Sequence, residues 1–296
     1  MVNRLERSRL RNGLLFALPW LIGISIFYLY PIAGTLYHSF FEYPVFSPPT
    51  FTGFLNYETL LNDELFWITV YNSIYYTCMY VPLAVIVSIF LALILNMKIR
   101  KGISFYRMVY YMPCIVPMVG ASLLWMWIFN AHFGLLNTFL RMIGINGPGW
   151  LASATWSKPS LVLMALWLLG PGIIIYLSAL QDVPQQLHDV AEIDGANWVQ
   201  RLRYITLPML TPIILFDIII SLTLALQTFT RIYIMTRGGP ANSTLLFGLY
   251  IYRTAFAYLN MGYACALAWV FFILVFIVTI LIFKSSAKWV YYGGEG

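Results

Sequence analysis

The sequence predicts an all-α polytopic membrane protein with six transmembrane helices. Two compositional observations carry that reading: 61% of the 296 residues are hydrophobic and only 9% are charged, with a mean hydropathy of +0.79. A soluble domain carries about 25% charged residues, so this chain has too few to cover a surface facing water. The third observation is spacing, because apolar runs of about 20 residues, enough for one bilayer crossing, recur along the chain. An outer-membrane barrel would need short segments of alternating polarity, and the unbroken run LAVIVSIFLALIL at 83–95 excludes it.

The first span, 14–38, follows a basic segment (Arg4, Arg7, Arg9, Arg11) as a secretory signal would, but the run is too long and no A-x-A site follows. The second span, 67–96, contains Pro82 and a small-residue stripe, Ala84, Ser88 and Ala92, suited to close helix contact. The third, 105–129, holds Pro113 and Pro117, and the fourth, 159–180, holds Pro171. The fifth, 207–234, opens on Pro208, continues through Pro212 and carries one acid, Asp217; the sixth is 262–283. Each proline removes a backbone hydrogen bond and favours a kink. The whole of 1–296 reads as one transmembrane domain.

Sidedness follows from the cations. With the N-terminus in the cytoplasm, the inner segments hold the four N-terminal arginines, Lys98, Arg100, Lys101, Arg107, Arg201, Arg203, Lys284 and Lys288, twelve of the seventeen Lys and Arg. The first outer loop, around Glu42, Glu58, Asp63 and Glu64, has none. Both termini are therefore expected in the cytoplasm. The net charge of +6 is a matter of topology and lipid contact, since no basic-aromatic patch points to nucleic acid. Cys78, Cys114 and Cys265 are far apart in apolar runs, with no metal-ligand spacing, and read as buried thiols.

Residues 181–206 form the longest polar stretch on the inner side. Pro184 can open a helix in which Leu187, Val190 and Ala191 share a face, and Gly195 is placed to end it. A second helical piece, 196–204, precedes Pro208. Asp189, Glu192 and Asp194 make this stretch a poor match for an anionic leaflet, so a protein partner is the better inference.

Asp189-Val190-Ala191, three residues, Gly195, nine residues, then Ile205-Thr206-Leu207-Pro208 resembles the EAA motif of the membrane subunits of bacterial ABC importers. The flanks Val183-Pro184 and Ile193-Asp194-Gly195-Ala196 resemble the carbohydrate-importing branch, the maltose and glycerol-phosphate type. Leu18-Pro19, Tyr30-Pro31, Asn72-Ser73, Met112-Pro113, Gly134 to Asn137 and Thr236-Arg237-Gly238-Gly239-Pro240 extend the likeness over nearly the whole chain. Asp189 and Val190 depart from the usual Glu and Ala; the acid is kept but shortened by one methylene.

The resemblance implies a type I ABC importer permease fold in the bacterial cytoplasmic membrane. It implies a second permease subunit forming a heterodimer, two ATP-binding subunits, an extracellular solute-binding protein and a sugar substrate. The chain has no GxxxxGK[ST] loop, so ATP and Mg would sit on the partner ATPase, and no cofactor, catalytic residue or metal site is expected here. Docking on the ATPase falls to Leu187, Asp189, Ala191, Asp194, Gly195, Ala196, Trp198, Leu207 and Pro208. The substrate pathway implied by the resemblance runs near Cys114, Met118, Met164, Trp167, Leu168, Pro171, Ser221, Ala225 and Gln227. Among these, Ser221 offers a strong side-chain hydrogen bond and Trp167 a stacking face, so the pocket reads as permissive. Asp217 is expected to face the second permease. The alternative, an ion-coupled secondary transporter, suits kinked helices with an intramembrane acid but leaves the polar loop unexplained.

Overall fold

The computed structural model describes residues 4–97 and 102–291. Lys98, Arg100 and Lys101, counted above for sidedness, lie outside them. In chain order the helices are α1 (Arg4–Ile24), α2 (Tyr30–His38), α3 (Leu55–Leu61), α4 (Glu64–Asn96), α5 (Ile103–Ile115), α6 (Met118–Ile128), α7 (Leu135–Met142) and α8 (Ser157–Leu166). They continue as α9 (Gly170–Gln181), α10 (Gln185–Ile193), α11 (Trp198–Arg201), α12 (Leu207–Leu226), α13 (Thr230–Met235), α14 (Phe247–Tyr252) and α15 (Met261–Ser286). A two-stranded antiparallel pair joins β1 (Phe41–Glu42) to β2 (Thr50–Phe51).

Among the described residues, four continuous apolar helices are long enough to cross a bilayer: Arg11–His38, Glu64–Asn96, Trp198–Met235 and Met261–Ser286. Two further crossings are bent pairs, so six spans result when each pair counts once. The sequence suggested single helices over 105–129 and 159–180. Instead α5 and α6 meet at 100°, and α8 and α9 at 51°. At the first bend Val116 takes φ −70° and ψ 126°, the extended state that Pro117 imposes on its predecessor.

Proline also explains two wider turns. Ser25–Leu29 and Leu202–Thr206 are π-turns, in which Tyr30 N–H donates to Ser25 O and Leu207 N–H to Leu202 O. In each, the closing donor is followed by Pro31 or Pro208, which has no N–H for the next rung, so the ladder shifts register where a rung is already lost.

The chain forms two compact units. One comprises residues up to Asp63 with Ile251–Ile273; the other comprises Glu64–Tyr250 with residues from Leu274 onward. In the first, α1, its π-turn and α2 present apolar side chains outward, as a helix surrounded by lipid does. Asn56 Nδ2 fixes the chain after α2 by donating to Ser39 O and Phe41 O, both at 2.9 Å. Tyr263 OH donates to Asp63 Oδ2 at 2.6 Å.

In the second unit α4, α9 and α12 pack on one another. The Ala84, Ser88 and Ala92 stripe is buried there, and Gly172 of α9 lies so close that a Cβ would sit 3.1 Å from Ser88 Oγ. Small residues let the backbones approach, which is how helices gain contact where lipid removes the hydrophobic drive. The cysteines correct the sequence reading: Cys78 is exposed, and Cys114 and Cys265 are half-buried. A thiol is apolar enough to face hydrocarbon, so a low-polarity position in a span need not be an interior one.

Candidate functional site

The polar stretch after α9 is built by local rules. Pro184 precedes α10 with φ −58° and ψ 123°, and the helix ends in a full Schellman closure. Ala196 N–H donates to Ala191 O at 2.8 Å and Gly195 N–H to Glu192 O at 3.1 Å, with Gly195 at φ +78°. That left-handed conformation costs an L-residue about 1 to 2 kcal/mol and glycine almost nothing. Immediately afterwards Asn197 caps α11: its Oδ1 accepts from Gln200 N–H, while Gln200 Oε1 accepts from Asn197 N–H. This reciprocal pair satisfies two donors that a helix start would leave orphaned.

Across the turn Arg201 Nη1 donates to Glu192 Oε2. Both groups are partly in solvent, so the pair contributes at most about 1 kcal/mol, but it spans the two arms of the motif. The second arm differs from the separate helix suggested by the sequence. α11 is one turn long and runs through the π-turn Leu202–Thr206 directly into α12. Nothing between Arg201 and Leu207 breaks a helix, and Pro208 stands at the start of α12, where its missing N–H is tolerated.

The residues assigned to docking thus fall into two places. Leu187, Asp189, Ala191, Asp194, Gly195, Ala196 and Trp198 lie together on α10, the glycine turn and α11, whereas Leu207 and Pro208 begin the membrane-crossing part of α12. The surface of the first group is apolar and open: Leu187, Val190, Trp198 and Val199 are exposed, and Ile193 is 85% exposed. Asp189 is exposed beside them and accepts a hydrogen bond from Gln185 Nε2 at 3.0 Å.

The nine pathway residues are more scattered. Met164 and Ala225 are fully buried in helix packing. Cys114 Sγ donates to Leu168 O at 3.3 Å, and Trp167 meets Trp125 edge-on at 5.9 Å between ring centres. Met118 opens α6, where its carbonyl accepts from Ser122 Oγ. Pro171 and Gln227 are exposed. Ser221 Oγ, the strongest polar candidate, is directed to Asp217 Oδ1 at 3.4 Å.

Two polar clusters escaped the sequence reading. Asp217 has partners within its own chain, since Tyr176 OH donates to its Oδ2 at 3.0 Å and Tyr176 is completely buried. Lys158 is 8% exposed. Its Nζ donates to Asn72 Oδ1 at 2.9 Å and lies over the rings of Tyr71 and Tyr75, about 5 Å from their centres. Asn72 Nδ2 donates in turn to Asn242 O and Leu245 O, which ties the Gly-Gly-Pro loop to α4. The signal was present in Tyr71 and Tyr75 at i, i+4, but their exposed apolar faces look the same as lipid contacts.

Comparison with known proteins places these features in a family. The family model described as "Binding-protein-dependent transport system inner membrane component" matches residues 64–291. The sulfoquinovosyl glycerol transport system permease protein SmoG of Agrobacterium fabrum is 35% identical over 275 residues, covering 92% of this chain and 89% of that protein. The lactose transport system permease protein LacF of Rhizobium radiobacter is 34% identical over 283 residues, covering 94% of each chain. A chain of the crystal structure of a bacterial alginate ABC transporter, in complex with an alginate pentasaccharide-bound periplasmic protein, has the same fold. The two align at a TM-score of 0.84 with 24% identity, over 96% of this chain and 97% of that one. With three quarters of its length matched by the model and full-length relatives at this identity, the chain belongs to the binding-protein-dependent transport system inner membrane component family, a multi-pass membrane subunit of an importer.

Proposed function

We propose that this chain is one of two membrane subunits of an ATP-driven importer that carries a saccharide into the cell. A separate ATPase docks on α10 and the Gly195 turn. The observation that carries the docking role is the open apolar surface of Leu187, Val190, Ile193 and Trp198 on a segment too polar to enter hydrocarbon. Such a surface on a rigid, doubly capped turn suits a protein groove better than a lipid face. Asp189 and Asp194 at its margin would meet basic groups on the ATPase by charge-assisted hydrogen bonds.

Nucleotide and Mg belong to that partner in this reading, because the chain lacks a phosphate loop. Closure of an ATPase dimer would push α10, and the push would reach the membrane through α11 and α12, which form one uninterrupted rod from Trp198. The saccharide class is supported by the substrates named for SmoG and LacF. The path would pass Cys114, Met118, Met164, Trp167, Leu168, Pro171, Ser221, Ala225 and Gln227 during a cycle that opens packed helices. A second permease of different sequence and an extracellular solute-binding protein complete the assembly, with both termini of this chain in the cytoplasm.

Substitution at Gly195 tests the coupling. No atom lies within 4 Å of a Cβ built there, so Gly195→Glu brings backbone strain of about 1 to 2 kcal/mol without a clash. Gly195→Ala shares the strain but not the bulk or charge. Uptake of labelled sugar by cells is expected to fall at least tenfold in Gly195→Glu and to stay within threefold of wild type in Gly195→Ala, at equal membrane abundance. Normal uptake by Gly195→Glu would contradict the docking role.

A further inference from the structure

Asp217 stands midway along the 20-residue α12, about 15 Å from either end. An ionised carboxylate at that depth needs a positive partner, because hydrocarbon does not solvate it. Among the described residues no side-chain cation lies within ion-pair distance of it. Arg231, beyond the end of α12, donates instead from Nη1 to Tyr76 OH at 3.2 Å. What surrounds the carboxylate is oxygen. Tyr176 OH donates to Oδ2 at 3.0 Å, which leaves Oδ1 facing Ser221 Oγ at 3.4 Å. Ser88 of α4 is 1% exposed, and its hydroxyl has no hydrogen-bond partner. It borders the same gap, since a Cβ built on Gly172 would sit 3.1 Å from Ser88 Oγ and 3.8 Å from Asp217 Oδ1.

Hydrogen bonding alone accounts poorly for these positions. A hydroxyl donating to a carboxylate lies at about 2.5 to 2.7 Å, so that bond does not hold Ser221 where it is. A cation of sodium's or calcium's size holds oxygen at about 2.4 Å, and two of its ligands set at a right angle are then about 3.4 Å apart. The buried Ser88 hydroxyl is likewise costly unless something takes up its lone pairs.

We infer that Asp217 Oδ1, Ser221 Oγ and Ser88 Oγ bind one monovalent cation of sodium's size, in the gap left by the missing side chain of Gly172, with water completing its shell. One carboxylate balances one positive charge, so a divalent ion would leave net charge in hydrocarbon. Tyr176 is a positioning residue: it holds Oδ2 and so turns Oδ1 to the ion. Ser88, Tyr176 and Ser221 are all buried where α4, α9 and α12 pack. The ion is therefore a resident counter-charge tying α4 to α12, not a solute carried with the sugar. A carboxyl that carries its own proton would leave Ser88 unpaired and would not respond to sodium.

Neither the docking surface nor the sidedness of the chain enters this site, and its test reads the chain itself. The thermal unfolding midpoint of the detergent-solubilised full chain, with the partners it retains, is measured in sodium, potassium and choline chloride at one ionic strength and pH. Sodium at about ten times its dissociation constant is expected to raise the wild-type midpoint by about 3 to 5 °C over choline, saturably, and potassium by less. Ser88→Ala removes a ligand but no hydrogen bond, so it should weaken the half-saturating sodium concentration about tenfold, whereas a merely structural hydroxyl would leave the sodium response as it was. Asp217→Asn, which keeps a partner for Tyr176, should abolish the response; if that variant does not fold, Ser88→Ala decides alone. Equal midpoints in sodium and choline would overturn the site, as would a sodium response of wild-type size and affinity in either variant. A larger shift with potassium than with sodium would overturn the assigned ion.

Discussion

At the scale of single residues, the least expected finding is Asn72. One carboxamide accepts from the buried Lys158 and donates to two carbonyls of the loop around Asn242. An ammonium with no acid beside it among the described residues is held by an oxygen dipole and two aromatic faces, a combination that works because cation–π attraction grows as water is excluded. Removing the carboxamide strands a buried cation and two carbonyls at once, and an unsatisfied buried polar group costs about 1 to 3 kcal/mol. Asn72→Ala is therefore expected to lower the thermal unfolding midpoint of the detergent-solubilised protein by several degrees and to expose the Gly-Gly-Pro loop to proteolysis. Asn72→Asp keeps an acceptor for Lys158 but sets a carboxylate oxygen against the carbonyls of Asn242 and Leu245, so it should also lower the midpoint. The resemblance at Asn72-Ser73 and at the Gly-Gly-Pro segment was legible in the sequence, but that the two touch was not, because they are 170 residues apart and neither is charged.

At the scale of elements, the sequence was most informative where local chemistry decides. Gly195 ends α10 as its position suggested, because the left-handed turn is a property of a few neighbouring residues. The same argument fails at Pro117 and Pro171: the prolines were legible, yet how sharply the chain turns depends on what packs in the elbow. Gly170, beside Pro171, shows the packing involved. A Cβ there would sit 2.9 Å from Tyr110 O and 3.0 Å from Cys114 Sγ, so α9 reaches α5 only through glycine. Gly170→Val should overpack this contact at a cost of about 1 to 3 kcal/mol. The expected result is a lower unfolding midpoint with unchanged helical circular dichroism; an unchanged midpoint would show that α5 and α9 can part without loss. The scattered pathway residues illustrate a related gap, since which side of a helix faces a cavity is set by tertiary packing and leaves no mark in an all-apolar run.

At the scale of the whole molecule, composition alone settled the class, because a chain with 9% charged residues has no soluble option. The spans were legible from length and hydropathy. What composition could not carry was the proposed division of labour between subunits, which rests on one polar motif in an apolar chain and on the family to which that chain belongs. The central claim is that an ATPase docks on α10 and the Gly195 turn. The most direct measurement is gentle purification of the tagged chain from its native membranes, with quantitative mass spectrometry of the retained proteins, for wild type, Asp189→Ala and Gly195→Glu. The account predicts an ATPase and a second permease in stoichiometric amounts with wild type. The ATPase should fall at least tenfold in Gly195→Glu and measurably in Asp189→Ala, while the second permease is kept. Recovery of the chain alone, still moving solute in liposomes without ATP, would contradict it.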